Sequence, residues 1–168
     1  WKSEKDKGQS DAINKGFLLS AGDFIAWLNS DDKYTHTNVL SEVLLFLKEK
    51  DIVFGGAIAQ DQTGKELWRH NPSEFTFYSS LFRQEGIPQP SIFWTRKVYQ
   101  KTGMLDTDLH FGMDYDYWWR MLRAGFKFFR LNSFLSIQVY HPDSKSSQGG
   151  ALFEAFKPEE RILKEKYK

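Results

Sequence analysis

Phe24-Ile25-Ala26-Trp27-Leu28 runs straight into Asn29-Ser30-Asp31-Asp32. An unbroken apolar run followed by a polar, acidic one predicts a strand buried on both faces, ending in a loop that gathers charge. Upstream, residues 11–19 have helical character, with Ser10 as the expected N-cap and Gly22 as the stop. Downstream, Val39, Leu40, Val43, Leu44 and Leu47 recur at helical spacing within 37–50, and residues 52–59 return to an extended pattern. Helices alternating with buried strands predict an α/β sandwich, in which ligands sit beyond the carboxyl ends of the strands. That rule directs attention to residues 29–32.

Further along, Asp61-Gln62-Thr63-Gly64 predicts a hairpin turn into a strand over 66–69, and residues 91–95 form another short apolar run. Gly86, Pro88 and Pro90 mark the loop between them. Residues 114–123 are expected to be helical with Gly125 as the stop, followed by two last strands over 127–131 and 134–140. A helical tail is expected from about residue 150. With no repeat and no linker-like tract, residues 1–168 read as one domain.

Composition narrows the possible functions. Apolar residues make up 40% of the 168 positions and charged residues 27%, which supplies a packed interior rather than a solvated coil. Lys and Arg total 23 against 22 for Asp and Glu, a net charge of +1, so nothing draws the chain generally to nucleic acid or to an acidic membrane. The absence of cysteine excludes disulfides, thiolate zinc sites and a cysteine nucleophile. Apolar stretches such as 43–47 fall far short of the roughly 20 residues of a membrane span. The chain opens at Trp1 with neither an initiator Met nor a signal-peptide pattern, so a processed chain or an internal fragment is expected.

Two acidic clusters carry the candidate chemistry. Asp31 and Asp32 repel one another unless a cation or several donors compensate, and oxygen ligands of this kind suit Mg²⁺ or Mn²⁺. A strand-end turn or helix cap accounts for the same pair without any ligand. In Met113-Asp114-Tyr115-Asp116-Tyr117-Trp118-Trp119-Arg120, Asp114 and Asp116 point about 200° apart on a helix. One is then free to face a cleft while the other pairs with Arg120. The surrounding aromatics read as core more readily than as a sugar platform. Asp6-Lys7-Gly8-Gln9-Ser10-Asp11 precedes the first helix, where free N–H groups and Lys7 suit an anion. His141 follows the last strand at the head of a polar loop containing Ser144 and Lys145, whereas His36, His70 and His110 read as structural or exposed.

Taken in order, several segments resemble family 2 glycosyltransferases of the GT-A fold. They are Lys7-Gly8-Gln9-Ser10-Asp11-Ala12-Ile13-Asn14-Lys15-Gly16, then 22–32, then Pro88-Gln89-Pro90-Ser91, Gly103-Met104-Leu105-Asp106 and Met113-Asp114-Tyr115-Asp116-Tyr117-Trp118. The resemblance runs from about residue 1 to about residue 145. It implies a Rossmann-like mixed sheet flanked by helices, in a form lacking the family's N-terminal nucleotide-binding strand and helix. Two departures stand out: the first Asp of the family's Asp-x-Asp is Asn29 here, and its Glu-Asp pair is Met113-Asp114. Asparagine retains an oxygen but loses a charge.

The resemblance implies a metal-dependent, inverting transfer of sugar from a nucleoside diphosphate sugar to a hydroxyl acceptor, in polysaccharide or cell-surface glycan synthesis. In that reading Asp114 is the general base. Asp31 and Asp32 hold Mg²⁺ or Mn²⁺ with His141, and Lys7 and Asp11 contact the donor. Gln89, Ser91 and Trp118 line the sugar or acceptor site. The implied partners are the donor and a glycan or lipid-linked acceptor, with no nucleic acid, and the implied location is the cytoplasm, up to the inner face of the membrane. A noncatalytic nucleotide- or carbohydrate-binding fragment of the same fold is the alternative, and phosphoryl or nucleotidyl transfer is a second enzymatic one.

Overall fold

A computed structural model describes residues 3–76, 79, 86–142 and 150–167, with the side chains of 150–153 outside that description. Trp1 and the loop residues Ser144 and Lys145 lie outside the described residues. In chain order the elements are α1 (Gln9–Leu19), β1 (Phe24–Ile25), β2 (Lys33–Tyr34), α2 (Val39–Leu47), β3 (Ile52–Asp61) and β4 (Glu66–His70). A 3₁₀ turn, Gln89–Ser91, leads into β5 (Ile92–Thr95), followed by α3 (Arg96–Thr102), α4 (Met113–Arg123), β6 (Phe128–Tyr140) and α5 (Gly150–Tyr167).

The sheet is mixed, in the order β1-β5-β3-β6-β2, with β4 also paired to β3. Its centre is the parallel pairing of β3 with β6, from Ile52 opposite Phe128 to Asp61 opposite Tyr140. The other pairings are antiparallel. Strand alternation divides the interior in two. Ile52 and Phe54 of β3 and Ile92 and Trp94 of β5 pack with Phe17, Val98, Tyr117, Trp118 and Leu163 from the helices on one face. Val53 and Phe93 turn to the other face, against Val39, Val43 and Leu47 of α2 and Leu131 and Leu135 of β6. Trp27 stacks on Trp118 at 5.5 Å between centroids and meets Trp94 edge-on at 5.6 Å.

Several expectations are corrected. The strand expected over 24–28 is reduced to Phe24–Ile25, and Phe24 is 39% exposed, so the run is not buried on both faces. Its pairing with β5 has only two register positions, and the chain leaves the sheet to deliver Trp27 to the core and residues 29–32 to the loop. The two strands expected over 127–131 and 134–140 are one continuous strand, because β6 has a partner in β3 on both sides of Asn132-Ser133, where the register shifts near Gly56. Gly8, not Ser10, is the N-cap residue of α1, at φ 129°, and the helix ends at Leu19 with Ser20 as its C-cap. Ser10 is buried inside the helix, its hydroxyl directed to Leu109 O and Met113 Sδ. The hairpin at 61–64 and the helix from 150 are as expected, and α3 is an addition.

The β3–β6 contact depends on two glycines. A Cβ on Gly55 would lie 2.6 Å from the Ser133 carbonyl oxygen and 2.7 Å from the Leu135 side chain. On Gly56 it would lie 2.8 Å from the Phe134 ring of β6, and 2.7 Å from the His70 carbonyl oxygen of β4. A backbone carbonyl held in the sheet cannot move aside as the far end of a flexible side chain can, so overpacking follows. Gly55→Ala is expected to lower unfolding free energy by about 1–3 kcal/mol in urea denaturation, with an unchanged m-value.

Candidate functional site

The site forms where the loop after β1 meets the ends of β2 and β6. Antiparallel pairing places Lys33 opposite Ile137 and Tyr34 opposite Ser136, so continuing that register brings the chain beyond Tyr140 alongside the residues preceding Lys33. His141 Nε2 lies 3.2 Å from Asp31 Oδ2 across 110 positions of sequence. Asn29 donates through Nδ2 to Asp32 Oδ2 and to Gln89 Oε1, both at 2.9 Å. Gln89 in turn donates to the Trp27 carbonyl at 2.8 Å. The retained oxygen of Asn29 accepts from Gln9 Nε2 at 3.2 Å, so in this arrangement it is already engaged within the protein.

A polar and structural path links this loop to the second acidic cluster. Gln9 touches Asn29, and the adjacent Ser10 donates to Met113 Sδ at 2.9 Å, one residue before Asp114. Asp114 lies in the first turn of α4, half-buried, with Oδ1 accepting the N–H of Tyr115 at 2.8 Å. Asp116, facing another way as the helical spacing predicts, is fully buried. Its carboxylate accepts from Arg120 Nε at 2.8 Å, Lys166 Nζ at 2.8 Å and Tyr167 Oη at 2.7 Å. Burial pushes its pKa up, but the hydrogen bonds from Lys166, Tyr167 and Arg120 outweigh it and hold the carboxyl below the ordinary value.

The remaining expected residues separate into two groups. Lys7 and Asp11 border a hollow that Thr107, Leu109 and His110 close from the other side. Asp11 accepts the Lys7 N–H at 3.0 Å and pairs with Lys15 at 3.1 Å, and these contacts lower its pKa, Lys7's N–H foremost. Ser91 and Trp118 are turned inward. Ser91 is fully buried, its Oγ 2.7 Å from the Gly56 carbonyl and 2.6 Å from Ser136 Oγ, and Trp118 is 1% exposed beneath Trp27. Both therefore act in packing, and neither presents a surface to a ligand in this arrangement. His70 lies 2.9 Å from the Gly86 carbonyl, and His36 is an exposed side chain beside Glu42. Gln9, the first residue of α1, is a partner of Asn29 that no local pattern signals, since 20 positions separate the two.

The electrostatics of the loop favour a cation. Burial raises the Asp32 carboxyl to about 6, with the neighbouring charge of Asp31 adding to the effect and the Asn29 hydrogen bond opposing it. Carboxylate oxygens with an imidazole fit Mn²⁺, and the carboxylates alone fit Mg²⁺. Among the described residues no three His, Cys, Asp or Glu side chains converge as a metal cage. A donor set this small suits an ion completed by waters and by a ligand's phosphate oxygens.

The mixed sheet with helices on both faces is the GT-A fold. Its similarity to solved glycosyltransferases carries that assignment. Staphylococcus aureus TarS, residues 1–349, superposes with a TM-score of 0.59 at 12% identity, covering 79% of this chain and 40% of that one. The mannosyltransferase PcManGT from Pyrobaculum calidifontis, solved with GDP-Man and Mn²⁺, gives 0.59 at 12% identity over 94% of this chain and 45% of that one. Residues 2–126 match the sequence family described as glycosyl transferase family 2, and the chain belongs to it. An uncharacterized glycosyltransferase of Rickettsia typhi is 26% identical over 165 residues, covering 90% of this chain and 50% of its own length. One from Mycobacterium tuberculosis is 27% identical over 126 residues, covering 74% and 47%. The chain thus spans about half the length of these curated relatives. No helix among the described residues is long and apolar enough to cross a membrane.

The Asp32 shift has a definite consequence for stability. Unfolded, this carboxyl ionises near the ordinary value of 3.8, and folded, near about 6, so the folded chain holds more protons in that window. Stability therefore falls as pH rises through it. Asp32→Asn is expected to unfold at higher denaturant than the wild type near neutral pH, by about 1 kcal/mol after discounting for solvent screening. The difference should close as the pH is lowered to about 4.

Proposed function

We propose that this chain transfers a sugar from a nucleoside diphosphate sugar to a hydroxyl acceptor with inversion, in the synthesis of a polysaccharide or cell-surface glycan. The observation that carries the reading is the contact of His141 with Asp31 at the strand ends, in a loop whose Asn29 holds Asp32 and is joined through Gln9 and Ser10 to the start of the helix bearing Asp114. Membership of family 2 supports the transferase class. The PcManGT structure, which contains GDP-Man and Mn²⁺, supports a nucleotide-sugar donor with a divalent ion.

In this reading Asp114 takes the proton of the acceptor hydroxyl as that oxygen forms its bond to the anomeric carbon. The bond from that carbon to the diphosphate oxygen breaks, and its electron pair leaves with the nucleoside diphosphate. Attack opposite the leaving group accounts for inversion. Asp31, with Asp32 and His141, would hold Mg²⁺ or Mn²⁺, whose charge offsets that gathered on the diphosphate. Lys7 supplies a cationic contact for the donor, and Asp11 holds the Lys7 backbone at the mouth of the hollow. Gln89 fixes Asn29 and the floor of the loop. The acceptor is a hydroxyl-bearing glycan or lipid-linked sugar, consistent with action at the cytoplasmic face of a membrane.

Calorimetric titration with UDP and GDP, with and without Mn²⁺, tests the donor site. Metal-dependent binding of one nucleotide is expected, weakened about tenfold or more, ~1.4 kcal/mol, in Asp31→Ala. Absence of binding for both nucleotides, or equal binding by the variant, overturns the assignment. Asp114→Asn is expected to lower kcat for transfer by about 100-fold or more with nucleotide affinity unchanged, since a general base contributes at least that much.

A further inference from the structure

The family match ends at residue 126, yet the helix carrying Asp114 is held by a helix from outside that range. No side chain at its own N-cap position, Gly112, caps α4. Its entry turn is instead satisfied from α5. Glu159 Oε1 accepts the His110 N–H at 2.9 Å, and Oε2 accepts the N–H groups of Phe111 and Gly112 at 2.9 and 2.7 Å. A carboxylate is thus bound to successive backbone donors at a helix start, where charge-assisted bonds and the helix dipole both favour a negative group.

The fit is steric as well as electrostatic. A Cβ at Gly112 would lie 2.8 Å from Leu163 Cδ1 and 3.0 Å from the Phe156 ring, so α5 rests against bare backbone there. Seven residues beyond Glu159, two helical turns along the same face, Lys166 reaches Asp116 at 2.8 Å, and Tyr167 reaches the same oxygen at 2.7 Å. The face made by Phe156, Glu159, Leu163, Lys166 and Tyr167 therefore grips α4 on both sides of Asp114, at 110–112 and at 116.

We infer that Glu159 is a positioning residue: by binding the N–H groups of 110–112 it fixes the first turn of α4, and with it the direction in which Asp114 is presented to the acceptor. This inference rests on the reading of Asp114 as the base. Glu159 binds backbone N–H groups, so its effect on Asp114 passes through the backbone of the turn.

The two carboxylate oxygens hold different amides, which separates this role from general packing. Site-resolved amide exchange in the full chain is expected to show His110, Phe111 and Gly112 protected in the wild type and exchanging at least about tenfold faster in Glu159→Ala. Glu159→Gln, with its oxygen in the Oε2 place, is expected to restore Phe111 and Gly112 but not His110, whose N–H would then face an NH₂ group. In transfer assays Glu159→Ala is expected to lower kcat by about tenfold with the donor KM within about twofold, and Glu159→Gln to recover most of that loss. Wild-type protection persisting in Glu159→Ala overturns the inference, as does lost protection with unchanged kcat. If the wild type transfers no sugar from any donor, the transferase reading falls, and the exchange pattern alone then decides whether Glu159 fixes the turn.

Discussion

The parallel pairing of β3 with β6 is the constraint on which the other features depend. It requires bare backbone at Gly55 and Gly56, because the Ser133 carbonyl oxygen and the Leu135 and Phe134 side chains of β6 occupy the space a Cβ would need. Given that approach, β6 runs past β3 over its whole length and still has an edge free for β2. The β2 register then carries His141 to Asp31. The approach of His141 to Asp31, 110 positions apart in the chain, is thus a consequence of strand pairing, not of local sequence.

Two carboxylates, Asp116 fully buried and Asp32 half-buried, illustrate how the same side chain takes opposite roles. Asp116 is surrounded by Arg120, Lys166 and Tyr167, which keep it ionised and make it a tie between α4 and α5. Asp32 has a neighbouring carboxylate and a neutral amide instead, and burial holds its proton to about 6. A charge compensated by cations ties two helices together, while one left beside a like charge at a strand end holds its proton to higher pH. This contrast distinguishes the site from the scaffold more clearly than acidity alone.

Much of the fold was legible in residue patterns. The spacing of Val39, Val43 and Leu47 marked the buried stripe of α2, and Asp61-Gln62-Thr63-Gly64 marked the hairpin, because both signals are local. The lengths of the strands were less legible. The polar interruption Asn132-Ser133 divides β6 in sequence but not in space, since pairing with β3 resumes after a register shift. Phe24-Ile25-Ala26-Trp27-Leu28 reads as a continuous strand, yet two residues pair and the rest serve the core and the loop.

The candidate site shows the same division. The sequence by itself determined the acidic loop after an apolar segment, the pairing of Asp116 with Arg120 four residues on, and membership of a glycosyltransferase family, because each depends on neighbours in the chain or on residue order. The tertiary structure alone decided that Asn29 is engaged by Gln9, that Ser91 and Trp118 face inward, and that Glu159 caps the helix bearing Asp114. Those contacts join residues far apart in sequence, and their existence depends on how the layers pack, which no local pattern encodes.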